Sequence, residues 1–276
     1  MLIDPYSHPL IKERLPWKSG RFVMGVGLKP VKASEIFDTT SFYPEYIAQK
    51  AERRAENLER YYPHSVGLSP EEQTLAVEKI KSFVPQLELN RAGEYRDEFD
   101  QMVTHLAEDV SLWKKEGRRE WLASIHLCAP NHWAAGDKIG KSFIDSHLPV
   151  PKIAPIAQIA LKLFEQSVER GAQERMAWGV ATDTILNHHP QAPFKGRSFN
   201  PAQPELYARV ERQTLWPVTD DLLIFTIRTY FIDIAKLERI DRELIVSCLK
   251  SMDEEILRYK GLIHDRESQI DWLMSF

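Results

Sequence analysis

Two long β-rich segments in the last third of the chain constrain the fold more than any other feature. Residues 206–218 (LYARVERQTLWPV) and 221–234 (DLLIFTIRTYFIDI) are rich in β-branched and aromatic side chains, and Thr219 and Asp220 separate them. Two such segments joined by a short turn are typical of a β-hairpin. The hairpin predicts an antiparallel sheet at the centre of the fold.

The two faces of this hairpin differ in polarity if the turn is a two-residue loop that sets Val218 opposite Asp221. The resulting cross-strand pairs are Arg209 with Tyr230, Glu211 with Arg228, and Gln213 with Thr226. Because side chains alternate along a strand, all six are expected on one polar face. That face is either a half-exposed sheet surface with a cross-strand ion pair, or the lining of a pocket for carboxylates or a cationic amine.

The rest of the chain alternates between helical and extended patterns. Serine followed by Pro-Glu-Glu at residues 69–72 is a helix start, because serine caps a helix and proline fits its first turn. Further helices are expected at residues 43–62, 95–110, 133–140, 156–168, 241–259 and 268–276, and strands at 21–31, 120–128 and 176–182. Proline places residues 147–155 and the N-terminal arm in extended segments. These elements predict one α+β domain over residues 1–276.

Composition excludes several classes of function. A net charge of −4 over 276 residues gives no electrostatic reason to bind nucleic acid. No apolar stretch is long enough to span a membrane, so a cytoplasmic protein is expected. Two cysteines are too few for a disulfide framework or an iron–sulfur cluster, and the chain has neither a Walker loop nor a GxGxxG motif. Any redox chemistry therefore needs electrons from another chain.

Several of the nine histidines lie in suggestive positions, but they lack zinc-site spacing. His147 opens the proline-rich segment HLPVP, and His188 and His189 precede another proline. Considered alone, each is more typical of a hydrogen-bonded structural histidine than of a ligand.

Four further motifs accompany the hairpin segment RVERQTLWPVTDDLLIFTIRTY. They are MGVGLKPV at residues 24–31, PEYIAQKAER at 44–53, CAPNHWAAGDKIGKSFIDSHLPVP at 128–151 and YKGL at 259–262. Together they resemble the haem-dependent oxidative N-demethylase-like family over about residues 21 to 262. This resemblance implies a PAS-like antiparallel sheet with flanking helices, N- and C-terminal helical extensions, and a haem b cofactor.

The resemblance also assigns expected roles to individual residues. His147 is the first candidate for the iron ligand, His188 or His189 the second, and Cys128 a weaker one. Glu211 is expected to hold the substrate ammonium, with Trp133, Trp178 or Tyr230 adding cation–π contact. Lys141, Arg209 and Arg228 are expected to suit the haem propionates.

The reaction that the resemblance implies is oxygen-dependent removal of an N-methyl group from a small secondary amine such as dimethylamine, with release of formaldehyde. Electrons would come from a partner reductase that carries flavin and an iron–sulfur cluster. Two alternatives remain: a non-catalytic haem sensor or carrier, and a haem-free protein that binds another small molecule. The choice of amine and any homo-oligomer are left open.

Overall fold

One antiparallel sheet with helices around it forms the fold of the computed structural model, which describes residues 2–25, 27–89, 94–148, 150–151, 160–194 and 196–276. The described strands are β1 (Lys29–Pro30), β2 (Asp109–Glu116), β3 (Arg119–His126), β4 (Gln173–Ala181), β5 (Tyr207–Thr219) and β6 (Leu222–Asp233). Their order is β1-β4-β5-β6-β2-β3, and every neighbouring pair is antiparallel. The predicted α+β class is confirmed, while the PAS-like label stays a prediction.

Eight α-helices lie within the described residues. They are α1 (Tyr43–Tyr61), α2 (Pro70–Phe83), α3 (Glu98–Thr104), α4 (Phe143–Ser146), α5 (Ala160–Arg170), α6 (Arg239–Ser251), α7 (Glu254–Tyr259) and α8 (Arg266–Leu273). The predicted cap at Ser69 is confirmed, because Ser69 and Glu72 form a reciprocal capping box at the start of α2. No helix in the described ranges is both long and apolar enough to cross a membrane.

Strand β2 was missing from the sequence-based prediction, which placed a helix over residues 95–110. The helix there is only α3, which Asp97 caps and which ends before His105. Strand β2 follows, hydrogen-bonded to β6 on one side and β3 on the other. Val110 and Leu112 are buried in this position. Pairing on both sides and burial therefore outweigh the weak strand preference of the lysines and glutamate in β2.

The strand predicted at residues 21–31 is also mostly wrong, since only β1 forms there. Gly27 has a positive φ of 51°, which interrupts an extended chain. The extended run predicted at 147–155 lies mostly outside the described residues, as does the start of the helix predicted at 156–168. The chain breaks the helix predicted at 241–259 into α6 and α7.

The hairpin of β5 and β6 is confirmed, but its predicted register is wrong. Asp220 and Asp221 form the turn, Thr219 pairs with Leu222, and a bulge at Val218 then shifts the pairing by one residue. Moving the turn by one position leaves the predicted sharing of faces between β5 and β6 unchanged. The one extra residue in the bulge then reverses the faces of β5 relative to those of β6. The observed pairs are Arg209 with Phe231, Glu211 with Thr229, and Arg212 with Arg228.

The sheet consequently has two faces of different character. The packed face carries two hydrophobic cores: Val210 and Tyr230 pack with Trp17 and α6, while Trp216 and Ile224 pack with α2 and α3. The open face carries Glu211 of β5, the residues that pair with it on β4 and β6, and every second residue along these strands. It is less completely covered than the packed face. The half-buried positions on the open face include Arg175, Ala177, Gly179, Glu211, Leu215, Phe225 and Ile227.

Candidate functional site

Helix α4 brings His147 to the open-face side of the sheet. Ser142 caps α4, and the backbone N–H of Phe143 donates to both carboxylate oxygens of Glu120 on β3, at 3.0 and 2.9 Å. The Phe143 ring lies 5.9 Å from Trp113 of β2 and 4.4 Å from the His147 ring. His147 is thereby fixed beside the sheet by one short helix and one aromatic contact.

The hydrogen bonds of His147 define its tautomer. Its Nδ1 lies 2.7 Å from the carbonyl oxygen of Phe143, and a carbonyl only accepts, so Nδ1 carries the proton. Nε2 then keeps its lone pair, and no described residue hydrogen-bonds to it. Burial and the charges of Arg175 and Lys138 lower the pKa of His147, against the opposing effect of the Phe143 bond. A neutral imidazole held through Nδ1–H is the usual state of a metal-ligating histidine.

Glu211 lies in the middle of the open face, on β5. The side-chain amide of Gln213 donates to its Oε2 at 3.2 Å, and Nε of Arg209 lies 3.5 Å from its Oε1. The Glu211 side chain remains 18 % exposed, whereas the adjacent residues Val210 and Arg212 on the packed face are 0 % and 1 % exposed. A carboxylate in this position is accessible to a cationic ligand.

Arg209 shares this face but is engaged by backbone carbonyls. Its Nη1 donates to Ile185 and Leu186 at 3.3 and 3.2 Å, and its Nη2 donates to Ala129 at 2.8 Å. The guanidinium therefore ties the loop after β4 to the loop after β3. These hydrogen bonds use the donors that a contact between Arg209 and a haem propionate would need.

Three predicted site residues lie on the packed face, away from Glu211. The Arg228 guanidinium lies 3.7 Å from the centre of the Tyr46 ring and donates to backbone carbonyls. The Tyr230 hydroxyl donates to Asp38 Oδ2 at 2.8 Å. The Trp178 ring contacts Trp17 at 5.6 Å in the core. The structure does not bring these three side chains together with Glu211. The Val218 bulge reverses the face that β6 presents and so moves Arg228 and Tyr230, whereas Trp178 on β4 pairs with Val210 and shares its packed face.

Trp133 and Lys141 lie beside the outer strand β3. Trp133 packs on a small apolar cluster that includes Leu122 and Ile125, and the Lys138 ammonium lies 5.9 Å from its ring. The backbone carbonyl of Lys141 accepts from Leu122, and the Lys141 side chain is exposed. Both residues therefore lie near α4, on the same side of the fold as His147.

The alternative iron ligands are enclosed by protein groups. His188 is buried, with Nε2 3.1 Å from Asp183 and Nδ1 3.5 Å from Arg209. His189 is also buried and accepts a hydrogen bond from the Gln191 backbone through Nδ1. Both ring nitrogens of His188 thus face protein groups. His147 offers the more accessible nitrogen.

Cys128 is an unfavourable iron ligand for a different reason. Only 4 % of the residue is exposed, in a region that also contains His126 and Asp109. Burial first, and then the Asp109 carboxylate, raise the pKa of the Cys128 thiol well above its usual range. Since a ligand must be the thiolate, this environment opposes iron ligation.

One surface hollow in the described part of the chain is separate from these residues. It has a volume of about 440 Å³ and is lined by Thr182, Arg197, Ser198, Asn200, Gln203, Pro204 and Glu205. None of the predicted site residues lines it. We therefore place the candidate site at the polar and charged side chains of the open face and not in this hollow.

Comparison with known families agrees with the geometry. The model of a family described as haem-dependent oxidative N-demethylase, alpha subunit-like, matches residues 55–269. The chain belongs to this family. The matched region includes His147, Glu211 and the YKGL motif, while the motifs at 24–31 and 44–53 precede it. No curated protein matches the chain significantly.

The family name indicates dependence on haem, and the residues present fit that group. Haem needs an axial ligand from the protein, and Nε2 of His147 carries a lone pair of the kind that such a ligand provides. Sequence reasoning missed two cations on the open face, Arg175 and Lys260. Lys260 lies inside the quoted YKGL motif, so the motif was the available signal, whereas Arg175 precedes the strand that was predicted at 176–182.

Proposed function

We propose that this chain is the haem-binding subunit of an oxygen-dependent N-demethylase that acts on a small secondary amine. The observation that carries the proposal is the geometry of His147, whose Nδ1–H is fixed by the Phe143 carbonyl while no described residue hydrogen-bonds to Nε2. Membership of the family supports dependence on haem. The proposal keeps the single domain and the cytoplasmic location expected from the sequence.

Each residue has a defined task in the proposed reaction. Haem b supplies oxygen activation when it is bound, and His147 holds its iron. Glu211 binds and orients the ammonium form of the amine. Trp133 adds aromatic surface near α4, and the sheet excludes water from one side of the site.

The overall chemistry balances with electrons from outside the chain. One oxygen atom of O₂ enters the N-methyl C–H bond, and the resulting carbinolamine collapses to formaldehyde and the shorter amine. The second oxygen atom leaves as water after uptake of two electrons and two protons. We propose that a partner reductase with flavin and an iron–sulfur cluster delivers these electrons, in keeping with the alpha subunit-like description of the family.

The decisive experiment compares ligand variants by absorption spectroscopy. The full chain is produced with haem supplied, and its oxidised and reduced spectra are recorded for wild type, His147→Ala and His188→Ala. His64→Ala is a matched control, because the His64 side chain is 79 % exposed. We expect the Soret band to be lost or shifted only in His147→Ala.

Formaldehyde release from dimethylamine, with dithionite-reduced ferredoxin or flavin reductase as electron donor, then separates an enzyme from a haem sensor. A Soret band without turnover favours the sensor. A band altered by His188→Ala but not by His147→Ala moves the ligand to His188. Absence of any Soret band in wild type refutes the proposed function.

A further inference from the structure

Arg175 of β4 is a cation directed along the open face beside Glu211. It pairs with Gln213 of β5, and its Nε donates to the Gln213 side-chain oxygen at 2.7 Å. Its Nη1 donates to the backbone carbonyl of Gly25 at 2.8 Å. No described residue accepts from Nη2. The guanidinium is therefore held in place by neutral groups and keeps donor capacity for a ligand.

Lys260 reaches the same strand from the end of α7. Its ammonium donates to the Trp178 carbonyl at 3.0 Å, and a side chain on Gly179 would lie only 3.6 Å from Nζ. This distance is an ordinary van der Waals contact, so the ammonium lies directly over β4 at Gly179. The Trp178 carbonyl engages one of the three N–H donors of the ammonium, and no other described residue accepts from Nζ, so the remaining donors are available to a further acceptor.

The charges on this face do not balance. Burial lowers the pKa of both Arg175 and Lys260, while the Glu211 carboxylate acts on both in the opposite direction. The charge of Arg175 further lowers the pKa of Lys260. Two partly buried cations thus share one carboxylate, and Arg209 adds a third positive charge nearby. Buried charges need partners, so the described residues of this face lack a negative group.

We propose that Arg175 and Lys260 bind a carboxylate group on the open face. The carboxylate neutralises both cations and leaves Glu211 available for the substrate ammonium. This inference rests on the proposed function. Without such a group, a cationic amine that approaches Glu211 meets the positive charges of Arg175 and Lys260.

The carboxylate has two chemical sources, a haem propionate or a carboxylate carried by the amine itself, as in an N-methylated amino acid. Arg175 is close enough to His147 for its charge to affect the imidazole. A group bound to His147 is thus near the proposed site. Both sources share the recognition chemistry of carboxylate with guanidinium and ammonium.

Binding of haemin to the haem-free full chain tests the propionate. Haemin and haemin dimethyl ester, whose propionates are neutral, are titrated into wild type, Arg175→Gln and Lys260→Gln, and the Soret band is followed. We expect each variant to bind haemin about tenfold more weakly and to bind the ester like wild type. Arg118→Gln and Lys250→Gln, both at exposed positions, are the matched controls.

Binding of substrate to the haem-loaded chain tests the second source. If the variants bind haemin normally but lose affinity for N-methylglycine and not for dimethylamine, the carboxylate belongs to the substrate. Lys260→Arg keeps the charge and should therefore restore the binding of haemin or of N-methylglycine. Thermal unfolding of the haem-free variants reports whether they fold. Unchanged affinities for haemin and for N-methylglycine would overturn the proposal.

The carboxylate site can also be tested if the proposed function is wrong. If wild type binds no haem, the carboxylate site is tested by the rise in unfolding temperature of the haem-free chain with sodium propionate. A rise in wild type that is absent in Arg175→Gln and Lys260→Gln supports the site. An equal rise in all three proteins, or none in any, overturns it.

Discussion

Neutralising Glu174 is expected to destabilise the protein strongly, because this carboxylate holds two arginines. Arg212 is 1 % exposed, and its Nε and Nη2 both lie 2.8 Å from Oε2 of Glu174. Nε of Arg14 lies 2.5 Å from the other carboxylate oxygen. Arg212 also donates to the carbonyls of Glu35 and Ile36, which tie the segment before α1 to the packed face.

The magnitude follows from the burial of this pair. Glu174→Gln leaves the Arg212 charge buried without a counter-charge, which costs about 3–5 kcal/mol. A domain is stable by only about 5–15 kcal/mol, so the variant loses a large share of its free energy of unfolding. Adding Arg212→Met removes the uncompensated charge. We expect the double variant to be more stable than the sum of the single effects by about 0.5–3 kcal/mol.

Urea unfolding at pH 7, followed by far-ultraviolet circular dichroism, measures these free energies for both single variants and the double variant. The control is Glu243→Gln, since the Glu243–Arg239 pair has a similar distance of 2.8 Å but side chains that are 41 % and 80 % exposed. Loss of this exposed pair should cost less than about 1 kcal/mol. The reasoning is refuted if Glu174→Gln is no more destabilising than Glu243→Gln.

Two further predictions concern titratable groups. Burial tends to raise the pKa of Asp38, but hydrogen bonds from His8 and Thr40 outweigh it and hold the pKa below its ordinary value. The stability that this shift contributes is fully present above the unfolded pKa of about 3.9 and is lost as pH falls towards the folded pKa. Below about pH 5, the free energy of unfolding measured with urea should therefore fall less steeply with pH in Asp38→Asn than in wild type. Parallel curves for the two proteins contradict this. Burial raises the pKa of the Cys128 thiol and raises that of Cys248 to about 11, so neither should react with Ellman's reagent at pH 8 until urea unfolds the chain; prompt labelling of the folded protein contradicts this.

Local sequence signals predicted much of the fold because their causes are local. The capping box at Ser69 needs only residues within one helical turn, and it forms as expected. The hairpin of β5 and β6 follows from composition and a short turn. Strand β2 was missed because its lysines and glutamate favour other structures, and only its two neighbouring strands stabilise it.

The candidate site likewise combines features that the sequence predicts with features that only the tertiary structure decides. The sequence by itself determined that His147 lies in a motif shared with a haem-dependent family and that β5 carries alternating polar side chains. Tertiary structure alone decided that Arg228 and Tyr230 lie away from Glu211, since the Val218 bulge changes the pairing by one residue and a strand alternates its faces with a period of two. It also decided that Arg175 and Lys260, 85 positions apart in the sequence, lie beside the same carboxylate. No local pattern encodes that proximity, because it depends on how α7 packs against β4.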